Sequence, residues 1–156
     1  MKRWIAKGLV LSSVFFSPAV NSTAEVIEDR NISRDSRLQR IRNFFNRQKC
    51  PVEKYAEEFI IAADNNKLDW RLLPSIALVE SSGGKVYRNN NVFGWSSCRR
   101  RFPSVKAGIH AVAERLANAP QYRDKDLDSI LKTYNSRPIY SKTVKRVMIQ
   151  LSAEPI

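Results

Sequence analysis

Residues 72–84, LLPSIALVESSGG, combine the pattern of a buried apolar helix with an acidic residue in an unusual position. Leu73, Ile76 and Ala77 recur at the spacing of one helical face. The glycines at 83 and 84 indicate where the helix stops. Glu80 follows these three residues by seven, four and three positions, so it continues their face. The sequence therefore predicts a helix with a carboxyl group on its core-facing side.

This position has consequences for the protonation of Glu80. Burial of a carboxyl group raises its pKa, and the negative end of the helix dipole disfavours a carboxylate at the same place. Both effects favour a protonated Glu80 near neutral pH. A glycosidase needs such an acid to protonate the leaving oxygen of a sugar–sugar bond. The alternative is a Glu80 that ends its helix in solvent or pairs with an arginine.

The rest of the chain predicts a mostly α single domain of five or six helices. Apolar residues recur at helical spacing on both sides of residues 72–84. Residues 83–103 are rich in Gly, Asn, Ser and Arg and form one long irregular loop, which is compatible with a short hairpin. The expected helix starts or caps are Ser33, Pro51, Asp69, Ser104, Asp126 and the break at Arg137-Pro138.

The first 24 residues have the pattern of an export signal. Lys2, Arg3 and Lys7 precede an apolar stretch at 8–20, and Ser22 and Ala24 suit a cleavage site. The apolar stretch is shorter than the ~20 residues that span a bilayer, so we expect no transmembrane anchor after cleavage. We therefore divide the chain into a signal peptide (1–24), a lead-in with a helix (25–50) and a catalytic domain (51–156). The expected location is the periplasm or the extracellular space.

The charge of the chain favours anionic partners. The net charge is +12, and removal of the signal, which holds three basic residues and no acid, leaves +9. Nucleic acid, membrane lipid and the acidic cell wall all fit this charge. Export makes the cell wall the most natural of the three, and no motif supports nucleic-acid binding.

Cys50 and Cys98 are the only cysteines. An exported protein meets oxidising conditions, so we expect a Cys50–Cys98 disulfide. With a single histidine, His110, they have no metal-ligand spacing, and the sequence predicts no metal site and no cofactor. An alternative enzyme would use Cys98 as a nucleophile with His110 as its base.

Four segments resemble known enzymes. Residues 72–84 resemble the catalytic helix of lytic transglycosylases and related bacterial glucosaminidases, in which an apolar helix ends in Glu-Ser. Asn90-Asn91-Val92-Phe93-Gly94-Trp95 resembles the Asn-x-Phe-Gly segment of the glucosaminidases. Residues 102–109 resemble the entry into their next helix, and Tyr134-Asn135 resembles the Ala-Tyr-Asn motif of the transglycosylases. The match runs in this order over roughly residues 54–150.

The resemblance implies a lysozyme-like fold, peptidoglycan as the partner and Glu80 as the catalytic acid. It also implies that Tyr134 lies beside Glu80. We expect substrate contacts from Ser81, Phe93, Trp95, Tyr134 and Asn135. Thr133 stands where these enzymes have Ala, and the Gly-Leu-Met-Gln segment of many transglycosylases is absent.

The distribution of acids favours one mechanism. No Asp or Glu lies between Ser81 and Ala113, whereas hydrolysis by two carboxylates needs a second one across the sugar. A lytic transglycosylase needs one acid, because the 2-acetamido group of the substrate acts as the nucleophile and a 1,6-anhydro sugar results. Hydrolysis with Asp124, Asp126 or Asp128 stays open. A non-catalytic peptidoglycan-binding module is the alternative outside the enzymes.

Overall fold

The computed structural model describes residues 35–156, so the predicted signal peptide and the lead-in at 25–33 lie outside the described residues. The described chain is mostly helical, as predicted, and contains no strand within these residues. Its helices are α1 (Ser36–Arg47), a 3-10 helix (Pro51–Tyr55), α2 (Ala56–Asn65), α3 (Leu72–Ser81), α4 (Val105–Asn118), α5 (Leu127–Tyr134) and α6 (Pro138–Ala153).

Most of the helices begin where the sequence predicted. Ser104 and Asp126 cap α4 and α5, and their side-chain oxygens accept hydrogen bonds from Ala107 N and Ser129 N. Pro138 occupies the first turn of α6, where its missing N–H costs nothing. Asp69 is not the cap of α3. Its side chain accepts a hydrogen bond from Arg71 N and its carbonyl accepts one from Leu72 N, and the helix begins two residues later than predicted.

One apolar core joins all the helices. Within the described chain α3 packs against α2 and α6, and α2 also packs against α4. Residues 72–77 of α3 are buried without interruption. The apolar face of α1 belongs to the same core through Leu38, Ile41, Phe44 and Phe45, so the packing does not follow the expected division at residue 50.

The loop at 83–103 is held by amide side chains. Asn91 is buried; its Nδ2 donates to Trp95 O (2.9 Å) and Arg100 O (3.1 Å), and its Oδ1 accepts from Trp95 N (3.0 Å). Asn89 and Asn90 donate to the carbonyls of Cys98 and Phe102. The hairpin considered above is reduced to a single bridge between Arg88 and Asn91. The loop is therefore irregular but fixed, because its buried polar groups are satisfied.

The predicted Cys50–Cys98 disulfide is not formed. Cys50 is buried beneath the turn after α3, with its sulfur 3.6 Å from Ser82 O, and Cys98 lies half-buried in the loop, where its N–H donates to Gly94 O. Both thiols are free. An oxidising compartment allows a disulfide to persist, but only the fold can bring two cysteines within bonding distance. His110 Nε2 pairs with Glu58 at 2.8 Å. Within residues 35–156, no hydrogen bond joins His110 to Cys98.

None of the helices in the described part of the chain is long and apolar enough to cross a bilayer.

An ion pair between the buried carboxylate of Glu154 and the exposed side chain of Arg47 ties the segment after α6 to α1. The Glu154 carboxylate is only 4% exposed, and both of its oxygens accept hydrogen bonds from Arg47, at 2.6 Å for Nη2 to Oε2. We expect Glu154→Ala to lower the free energy of unfolding by about 1 kcal/mol, because it removes charge-assisted hydrogen bonds to a carboxylate that is shielded from water, although Arg47 itself is exposed. Urea unfolding measures the loss. Glu114→Ala, which changes an exposed acid on α4, is the control; an equal loss in both variants would show that the ion pair contributes nothing.

Candidate active site

Glu80 lies in the last turn of α3 and faces a pocket. The residues that share its face, Leu73, Ile76 and Ala77, are fully buried, whereas Glu80 itself is half-buried. Among residues 35–156 it forms neither a hydrogen bond of good geometry nor an ion pair. Neither the exposed helix end nor the arginine pair considered in the sequence is therefore present. The acid sits at the boundary between the core and a cavity.

The pocket has a volume of about 520 Å³. It is open to solvent and combines polar groups with aromatic rings. Glu80 is the only acid in its lining, which consists of Glu80, Gly94, Trp95, Ser96, Ser97, Tyr122, Tyr134 and Asn135. Residues from α3, the 83–103 loop, the segment after α4 and the end of α5 thus meet around one carboxyl group.

Burial raises the pKa of Glu80, and the neighbouring Tyr140 hydroxyl opposes part of this rise by favouring the carboxylate. The Tyr140 hydroxyl is buried and has no hydrogen-bond partner of good geometry within the described chain. It is therefore an unused donor beside the acid. A protonated Glu80 can give a proton to a bound group, and the resulting carboxylate would find a donor next to it.

An aromatic cluster forms one wall of the pocket. The Tyr134 hydroxyl donates to Phe93 O at 2.5 Å, which ties the end of α5 to the loop. The Tyr134 ring stacks on Tyr140 at 5.8 Å and meets Trp95 edge-on at 5.4 Å. Trp95 also contacts Tyr122, at 6.0 Å. Burial and the nearby Tyr140 and Glu80 raise the pKa of Tyr134, so its hydroxyl stays a neutral donor.

Gly94 brings the loop backbone against the acid. Its φ of +63° is in the left-handed region that favours glycine. A methyl group at this position would overlap Glu80 Oε2. The missing side chain therefore lets the carboxyl group reach the pocket while the loop closes over it.

Three of the predicted contact residues reach the pocket and two do not. Trp95, Tyr134 and Asn135 line it together with Glu80. The prediction for Phe93 needs correction: its ring is 0% exposed and packs edge-on against Phe59 in the core, so only its carbonyl serves the site. Ser81 is also buried. Its hydroxyl donates to Ala77 O and accepts from Gly84 N, which makes it part of the helix end.

The sequence did not identify three residues at the site. Tyr122 lies in an irregular segment without periodicity, so nothing in the pattern distinguished it. Tyr140 lies on the buried face of α6, where its spacing marks it only as a core residue, and its unpaired hydroxyl reveals its second role. Gly94 was part of a recognised motif, but its approach to Glu80 depends on the fold.

The other acids that were considered lie elsewhere. Asp126 caps α5, and Asp128 pairs with Lys145 at 2.7 Å. Asp124 borders a different pocket, beside Lys67 and Lys125. None of the three lines the Glu80 pocket. Across residues 35–156, no three His, Cys, Asp or Glu side chains are grouped closely enough to hold a metal ion.

Comparisons of the chain with protein-family models, with curated proteins and with solved structures gave no match.

Proposed function

We propose that this protein cleaves the glycan strands of peptidoglycan at the β-1,4 linkage between N-acetylmuramic acid and N-acetylglucosamine, as a lytic transglycosylase with Glu80 as its acid. The observation that carries the proposal is a half-buried glutamic acid with a raised pKa and no charged partner, which opens into an aromatic-walled pocket. Glycosidic oxygens need a proton as they leave, and sugar faces pack on aromatic rings.

A lysozyme-like fold is part of the same proposal. Its support is the order in which the chain builds the pocket. A buried helix ends in the acid, a long loop follows, and a Tyr-Asn pair at the end of a later helix faces the same cavity. This is the arrangement that the resemblance of residues 72–84 and Tyr134-Asn135 implies.

In the first step, protonated Glu80 gives its proton to the glycosidic oxygen. The bond between C1 of the muramic acid residue and that oxygen breaks, and its electron pair stays with the leaving sugar. The 2-acetamido oxygen attacks C1 and gives an oxazolinium ion. This intramolecular attack replaces a second carboxylate, which the Glu80 pocket lacks.

In the second step, the Glu80 carboxylate removes the proton from the 6-hydroxyl of the same sugar. The 6-oxygen attacks C1, the acetamido group is released and a 1,6-anhydro ring forms. Glu80 is again protonated, and no water is consumed. The Tyr140 hydroxyl favours the carboxylate between the two steps, so the acid can alternate between its two forms.

The net charge and the expected export signal agree with this substrate. Peptidoglycan is acidic and lies outside the cytoplasm, and the chain is strongly basic. We therefore include a periplasmic or extracellular location in the proposal.

Product analysis tests the proposed reaction. Purified sacculi are digested in water enriched in oxygen-18, and the fragments are identified by mass spectrometry. We expect 1,6-anhydro ends without the heavy isotope. Reducing ends that carry oxygen-18 would instead identify a hydrolase, and binding without any fragment would identify a non-catalytic module.

Tyr140→Phe tests the acid's environment. The Tyr140 hydroxyl lowers the pKa of Glu80, so its removal should raise that pKa further. Cleavage requires protonated Glu80, and the high-pH limb of the kcat/KM profile should therefore move to higher pH. The matched control is Tyr87→Phe, because Tyr87 is exposed and does not line the pocket. A limb that stays in place, or moves to lower pH, contradicts the assignment.

A further inference from the structure

α6 has a solvent-facing stripe that the Glu80 site does not use. Ile139, Lys142, Arg146 and Ile149 are exposed and follow one another at spacings of three, four and three residues, so they lie on one face. The two isoleucines are 64% and 67% exposed. Because they are ten residues apart on the helix, they are separated by roughly 15 Å along its axis. The opposite face of α6 is buried through Tyr140, Val144, Val147, Met148 and Leu151.

The stripe is also positively charged, and its two cations have no ion-pair partner among the described residues. The 16 residues of α6 include no Asp or Glu. Within the described chain Lys142 and Arg146 form no ion pair. At the start of the helix a shallow depression of about 330 Å³ adds Lys132 and Arg137 beside Lys142, and the one acid in its lining, Asp128, pairs with Lys145. Exposed cations beside exposed apolar side chains leave this face free to meet a partner that is anionic and also offers an apolar layer.

We propose that this stripe docks on the surface of an anionic phospholipid bilayer. The two isoleucines would enter the boundary between headgroups and acyl chains, while Lys142 and Arg146 lie among the lipid phosphates. The helix would then lie in the plane of the surface. The inference does not depend on Glu80, because the stripe and the pocket are formed by different residues.

Charge complementarity and the form of the stripe both favour a bilayer over other partners. A protein partner that receives a helix in a groove reads apolar anchors that recur every three or four residues, whereas here cations separate two distant isoleucines. A soluble polyanion would use the cations and ignore the isoleucines. A bilayer surface offers phosphates and an apolar layer to the same face.

Vesicle binding by the full-length chain tests the proposal. The protein is sedimented with vesicles of phosphatidylcholine alone, or with equal parts of phosphatidylglycerol and phosphatidylcholine. Binding to neutral vesicles reports apolar contacts alone, so the readout is the excess on anionic vesicles. Every variant keeps Lys2, Arg3, Lys7 and the apolar stretch at 8–20, so differences in this excess between variants report the substituted residues. We compare Lys142→Gln/Arg146→Gln with Arg115→Gln/Arg123→Gln, which removes the same charge from exposed positions in and after α4.

The apolar part of the stripe is tested separately. Ile139→Ser/Ile149→Ser is compared with Val86→Ser, since Val86 is 75% exposed.

We expect the cation pair and the isoleucine pair each to weaken the anionic excess by roughly tenfold or more. The control variants should bind like the unmodified chain, and the excess should fall with salt. Three outcomes overturn the proposal. The first is that anionic vesicles bind no more protein than neutral ones, and the second is that the control variants lose as much binding as the test variants. The third is that Ile139→Ser/Ile149→Ser has no effect, which would indicate general electrostatic adsorption.

Discussion

Glu80→Gln is expected to lower the rate of glycan cleavage by roughly a thousandfold while the fold stays intact. Glutamine keeps the size and most of the polarity of the side chain but cannot give or take the proton. Release of soluble fragments from labelled sacculi measures the rate. Glu114→Gln is the matched control, because it makes the same change at an exposed position on α4.

The stability of Glu80→Gln separates a lost proton donor from a lost fold. Burial raises the pKa of Glu80, so the folded state binds this proton more tightly than the unfolded chain does. The unmodified protein therefore loses stability, relative to the variant, as pH rises from about 4.3 through the folded-state pKa. Glu80→Gln should thus be at least as stable as the unmodified protein at neutral pH. A variant that is inactive and also much less stable would point to a structural role.

Gly94→Ala is expected to abolish most activity and to destabilise the protein. The added methyl group overlaps Glu80 Oε2, so either the carboxyl group or the loop has to move. A displacement of about 1 Å in an active site can cost roughly a hundredfold in rate. The left-handed backbone at Gly94 adds a cost of about 1–2 kcal/mol for any L side chain.

A double-mutant cycle on the free energy of unfolding isolates the overlap. In a Glu80→Ala background the carboxyl group is absent, so Gly94→Ala should cost only the backbone term. In the unmodified background it should cost measurably more. Identical costs in the two backgrounds would mean that Gly94 and Glu80 are not coupled, and the close approach would lose its functional meaning.

The helices could be predicted from the sequence because each has its own local signal. Capping side chains such as Ser104 and Asp126 act within one turn, and the apolar stripes encode which face is buried. Glu80 could be singled out for the same reason, since its position relative to Ile76 and Ala77 depends only on helical geometry. The start of α3 was predicted two residues too early, because an Asp that accepts a hydrogen bond from the backbone two residues later occurs in turns as well as at helix caps.

The loop and the wall of the pocket could not be predicted in the same way. In residues 83–103 the conformation depends on Asn91, which bonds carbonyls four and nine residues away, and no periodic pattern records such bonds. The sequence identified Phe93 as an aromatic in a polar loop, but tertiary packing against Phe59 decides its direction. Tyr140 approaches Glu80, and Tyr122 joins the lining of its pocket, only after distant helices have packed.

The proposed reaction requires that Glu80 keep its proton where an ordinary glutamic acid would lose it. Carbon-13 NMR titration of its side-chain carboxyl group, assigned by comparison with Glu80→Gln, measures this directly in the protein without substrate. We expect a midpoint clearly above the usual value of about 4.3 for a glutamic acid in peptides. A midpoint at or below that value would contradict it.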